Sequence, residues 1–134
     1  MKLDKRDHRS LVLWAIDCAE HVLPLFDEKY PKDKRPLEAI EATLAWVRGE
    51  VALSVVRTAA LAAHAAARAA TESTAACDAA RAVGHAAGTA HAAGHAAHAA
   101  AYAAKAKAAV ATAKEQAWQV RRLPNHLRSV VFPD

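Results

Sequence analysis

Between Asp7 and Val22 the large apolar residues recur at helical spacing. Leu11, Trp14, Ile16, Cys18 and Val22 gather on one side, with Ser10, Asp17, Glu20 and His21 on the other. The pattern predicts a first helix over this stretch. Pro24 lacks the N–H that a helix interior needs, so it is expected to kink or break the helix. Leu25, Phe26 and Tyr30 would then form a short second piece ending at Pro31. Beyond the charged connection Lys32-Asp33-Lys34-Arg35, Pro36 suits the first turn of a new helix, where its missing donor costs nothing. Leu37, Ile40, Leu44 and Val47 carry that helix to Gly49, which ends it. Ser54 is the expected N-cap of the next run, to about Ala70, and Thr71-Glu72-Ser73-Thr74 supplies another cap cluster.

From Ala75 to about Gln119 the chain reads as alanine-dominated helix, interrupted by Gly84, Gly88 and Gly94. One unbroken helix of that length would reach about 65 Å, too long for a domain of this size, so at least one turn must fall inside it. Turns are expected near Gly84 to Gly88 and near Val110 to Thr112, unless the glycines instead permit close backbone approach. Pro124 ends the last long helix and opens a final turn through His126 to Val131, leaving Phe132-Pro133-Asp134 as a docked end. No alternating strand pattern competes. The expected fold is all-α, a compact orthogonal bundle of about six helices in a single domain spanning residues 1–134.

Composition changes this picture in one respect. Of 134 residues 54% are hydrophobic and 5% aromatic, but alanine contributes 38 of them, so the core must be thin and its helices closely packed. Trp14, Trp46 and Trp118 lie in three different helices and are expected to plug that core. Cys18 and Cys77 are far apart and lack metal-type spacing, which suits two small buried thiols. The apolar runs are studded with His, Lys and Asp, and the charged N-terminus leads straight into an amphipathic segment. A soluble, cytoplasmic protein with no membrane partner is therefore expected. The formal charge of +4 is concentrated from residue 105 onward, where six basic residues face two acidic ones. Such a bias favours acidic partners but falls short of a nucleic-acid module, so nucleic-acid binding is not expected. No phosphate loop, dinucleotide fingerprint, zinc-finger spacing or nucleophile elbow is present, and no catalytic residues are assigned.

The most unusual chemistry is the histidine set His64, His85, His91, His95 and His98. On a continuous helix Gly84, Gly88, His91, His95, His98 and Tyr102 would share one stripe. His91 and His95 at i, i+4, and His95 and His98 at i, i+3, are spaced to place two imidazoles on one ion. No acidic residue or cysteine completes the stripe, so a further ligand would come from another helix. His64, aligned with Arg57, Leu61 and Arg68, is the candidate. The possible metal ligands are thus His64, His91, His95 and His98, binding a transition metal. The alternatives are polar filling between alanine helices and a pH-responsive contact surface. No other cofactor is indicated.

Several segments together resemble the bacterial "putative immunity protein" family of the Imm-5-like kind. They are Leu-Trp-Ala-Ile-Asp-Cys-Ala-Glu-His-Val-Leu-Pro-Leu-Phe (13–26), Arg-Pro-Leu-Glu-Ala-Ile-Glu-Ala (35–42) and Ala-Ala-Leu-Ala-Ala-His-Ala-Ala-Ala-Arg (59–68), followed by Gly-His-Ala-Ala-Gly-Thr-Ala-His-Ala-Ala-Gly-His-Ala (84–96). The segments 100–106 and 123–128 extend the likeness over nearly the whole chain. The resemblance implies an all-α, alanine- and histidine-rich domain, not an enzyme, that neutralises a cognate toxin domain by protein–protein contact. Inhibitors of nuclease toxins tend to be acidic, whereas this chain is basic, so an acidic or apolar target surface is expected.

Overall fold

The computed structural model describes residues 3–107 and 112–133, and among these there is no strand. Seven α-helices follow in chain order: α1 (Lys5–Asp27), α2 (Arg35–Val47), α3 (Leu53–Ala69), α4 (Thr74–Gly88), α5 (His95–Ala106), α6 (Thr112–Arg122) and α7 (Arg128–Val131). A 3-10 turn, Asn125–Leu127, precedes the last of them. None is long and apolar enough to cross a membrane among the described residues.

Local chemistry explains most of the boundaries. The Asp4 carboxylate accepts from the Asp7 N–H at 2.8 Å and starts α1, while the Ser73 hydroxyl accepts from Ala76 N–H at 3.1 Å and starts α4. Pro36 stands in the first turn of α2, and Gly49 follows that helix with φ of 78°, a conformation only glycine adopts without strain.

Three boundaries differ from the sequence reading. Helix α1 runs unbroken through Pro24 to Asp27, so Leu25 and Phe26 belong to it rather than to a separate piece. Pro24 and Glu20, whose carbonyl loses its partner, are both exposed, so that carbonyl is open to solvent while Leu23 and Phe26 stay buried on the other side. Helix α3 starts at Leu53 from Ala52 with no side-chain cap, and Ser54 lies inside its first turn. Helix α4 passes through Gly84 and ends at Gly88, so the turn falls at residues 89–94. The turn expected near Val110 lies outside the described residues.

Helix α4 is the hub, packing against α1, α2, α3 and α5. Ala76, Ala79, Ala80, Ala82, Val83, Ala86 and Ala87 are all buried, and their small side chains let neighbouring backbones come close. Larger residues fill the core from α1, where Leu11, Trp14, Ile16, Val22 and Phe26 are buried. The Trp14 indole N–H donates to the Gln119 carbonyl at 2.8 Å, and its ring meets Phe132 edge-on, which docks both α6 and the C-terminal end against α1. Of the three tryptophans only Trp14 is a core plug. Trp46 and Trp118 are half-buried, against His8 and His21 respectively. Cys18 is buried and Cys77 half-buried, both as free thiols. Burial, with Glu115 and Asp17 nearby, pushes the Cys18 thiol far up, so it stays protonated and inert.

Candidate functional site

On α4, Arg81, Gly84, His85 and Gly88 form a stripe on the side away from the buried Ala76, Ala79, Val83 and Ala86. This second face opens into a cleft bounded by α3 and α5. About 240 Å³ is enclosed, lined by Arg57, Ala60, Leu61, His64, Gly84, Gly88, His91 and His95. The predicted stripe of glycines and histidines is therefore real as a surface but not as one helix. The chain turns back after Gly88, so the glycines on α4 and His95, His98 and Tyr102 on α5 face each other across an antiparallel pair.

The glycines act by omission. A β-carbon on Gly84 would lie 2.6 Å from the His64 ring, and one on Gly88 would lie 3.0 Å from Cγ of His95. Each imidazole therefore rests on bare backbone, and the Gly84–Gly88 segment serves close approach rather than a turn.

All five histidines converge. Ring centroids are 4.8 Å apart for His64 and His85, 5.2 Å for His85 and His95, and 5.1 Å for His85 and His98. His91 stands 5.4 Å from His95 and is exposed in the turn. The central ring is His85, which lies among the histidines of the sequence reading but outside its four metal candidates. Nothing in the spacing marked it, because only the return of α5 brings His95 and His98 to it. The Nδ1 atoms of His85 and His95 are 2.9 Å apart, so one ring donates its N–H and the other accepts. Tyr102 stacks on His85 with rings 7° from parallel at 5.3 Å, and Lys105 covers Tyr102 at 5.0 Å. Arg81 donates to Nδ1 of His64 at 3.2 Å.

Burial, and then crowding of like charge, disfavours the charged forms of His64, His85 and His95. Burial, reinforced by His64, His95, His98 and Arg81, pushes His85 down to about 4. His64 is lowered by burial, then by Arg81, His95 and Arg68, and His95 by burial, then by His91 and His98. No carboxylate lines the cleft among the described residues. As the side chains stand, no three His, Cys, Asp or Glu among the described residues are arranged to hold a metal ion.

A second polar cluster was illegible in the sequence. Glu115 on α6 is 3% exposed and stands 2.8 Å from the His21 ring on α1, a distance suited to an ion pair but off the hydrogen-bonding direction. Gln119 donates to Glu115 at 3.2 Å and to the Ala100 carbonyl at 2.9 Å, while Arg122 reaches Asp17. His21 and Asp17 on the polar face of α1 are thereby held against α6, a clip between the two helices.

A family model described as "Imm-5 like putative immunity protein" matches residues 1–126, and the chain belongs to that family. No curated protein and no solved structure matches it.

Proposed function

We propose that this member of the Imm-5 like family works as an antidote: it occupies a cognate toxin domain one to one, by surface contact, and turns over no substrate. The carrying observation is the rim of the histidine cleft. Leu61 is 70% exposed there, on a helical stripe with Arg57, His64 and Arg68. An unburied leucine ringed by guanidinium and imidazole groups has the anatomy of an interface, an apolar centre with a polar border. Its electrostatics favour an acidic partner surface, because Arg57 lines the cleft with no carboxylate in that lining and Arg68 continues the same stripe. A toxin carboxylate beside an apolar contact for Leu61 fits this chemistry. The basic surface also agrees with a target site other than a nucleic-acid cleft.

The test is co-expression of the full chain with the toxin domain encoded beside it, followed by measured affinity. A stoichiometric complex and protected cells are expected. Leu61→Asp combined with Arg57→Glu should weaken binding about 100-fold while leaving the fold intact, the size of a hot-spot loss. Unchanged affinity in that variant, or absence of protection by the wild type, would overturn the reading.

A further inference from the structure

We propose that His85 and His95, joined by His98, form a binding site for a nitrogen-preferring divalent transition metal, Zn²⁺ being the representative ion. Two imidazoles on one tetrahedral ion, each with its nitrogen about 2.0–2.1 Å away, have ring centroids about 5 Å apart. The separations of 5.2 Å between His85 and His95 and 5.1 Å between His85 and His98 already match that figure. His95 and His98 are 6.4 Å apart, wider than that figure, so the triangle closes only when His98 turns inward.

The two Nδ1 atoms already point at each other across 2.9 Å. An ion entering between them would open that gap to about 3.3 Å. Both lone pairs become available once the donating ring shifts its proton from Nδ1 to Nε2, a change of tautomer without change of charge. His98 lies on the exposed side of α5 and must rotate its ring inward to supply the third nitrogen. His64 is the poorer third ligand, because Arg81 occupies its Nδ1 and its ring is seated on Gly84. An all-imidazole set with no carboxylate suits Zn²⁺, Ni²⁺, Co²⁺ or Cu²⁺ and disfavours Mg²⁺ and Ca²⁺, which require oxygen ligands. The fourth position would remain open to water or to a carboxylate brought from outside.

The proposal does not depend on the toxin reading, because it is tested on the isolated protein. Untagged full-length chain, freed of metal with a chelator and dialysed, is titrated with ZnCl₂ by calorimetry near neutral pH. One site per chain with micromolar or tighter affinity is expected. His85→Ala and His95→Ala should each weaken it at least about tenfold, and His98→Ala by less. The same site loaded with Co²⁺ should give tetrahedral ligand-field absorption that disappears in His95→Ala. Where an alanine variant fails to fold by circular dichroism, His85→Gln and His95→Gln carry the same comparison. Substoichiometric uptake by the wild type, or uptake unaltered by loss of both His85 and His95, overturns the site.

Discussion

The two faces of α4 use the same helix to opposite ends. Toward the core, its alanines share one buried cluster with Leu11, Ile16, Val22 and Phe26 of α1, all of them dry. Toward α3 and α5 it presents Arg81, Gly84, His85 and Gly88, and the space beyond is filled by imidazoles that remain half in water. The first face holds the fold. The second leaves its imidazoles half in water and one leucine uncovered, which adds little stability and leaves binding capacity.

The sharpest way to break this contrast is to remove one large side chain from each face. Phe26 is fully buried and stacks on Tyr30 at 5.3 Å, so Phe26→Ala should cost about 3–5 kcal/mol in urea denaturation. Leu61→Ala on the cleft rim should change stability by less than about 0.5 kcal/mol, since that side chain is already in water. Equal losses from the two substitutions would mean that the cleft contributes to the core.

How far the sequence revealed each face follows from the same contrast. The α1 side was legible because large apolar residues carry a strong period, and Trp14 was correctly read as a plug. Pro24 misled because a proline's effect depends on whether the orphaned Glu20 carbonyl meets water, which spacing does not encode. Alanine is tolerated both inside and outside, so the extent of α4 and the position of its turn could not be read from Gly84 and Gly88. The histidines were recognised as a set, yet the pairing of His85 with His95 depends on a chain reversal at residues 89–94. No spacing singles out Glu115 and Gln119, and only docking against His21 and Ala100 shows them buried.

Acid should separate the faces next. The folded His85 ring, held by burial and by His64, His95, His98 and Arg81, titrates near 4, whereas an unfolded histidine titrates near 6.5. Between those values the unfolded chain takes up a proton that the folded ring refuses, so stability present above about pH 6.5 is lost as pH falls toward about 4. Each unit of offset corresponds to about 1.4 kcal/mol, and the half-exposed ring is screened by solvent, leaving about 1–2 kcal/mol. Urea midpoints measured in chelator across this range should fall for the wild type and fall less steeply for His85→Asn. An identical slope in both would place the acid sensitivity elsewhere.

The smallest effects come from the two glycines, and their opposite signs make them the finest probe of the cleft. Alanine is favoured over glycine in a helix interior by about 1 kcal/mol, so Gly84→Ala starts with a gain that Gly88→Ala, at the last residue of α4, shares only in part. At Gly88 the new methyl would meet Cγ of His95, an atom tied closely to its own backbone, and α5 would have to shift. Overpacking of that kind typically costs about 1–3 kcal/mol, so Gly88→Ala should be destabilising overall. At Gly84 the clash is with the outer atoms of the His64 ring, on a half-buried side chain that can swing toward solvent. Gly84→Ala should therefore leave stability unchanged or raise it by up to about 1 kcal/mol, while breaking the 3.2 Å contact between Arg81 and His64. Thermal unfolding reads the first effect, and the imidazole proton signals of His64 read the second. Destabilisation by Gly84→Ala as large as that by Gly88→Ala would show that His64 is locked in place by α3 and belongs to the structural face.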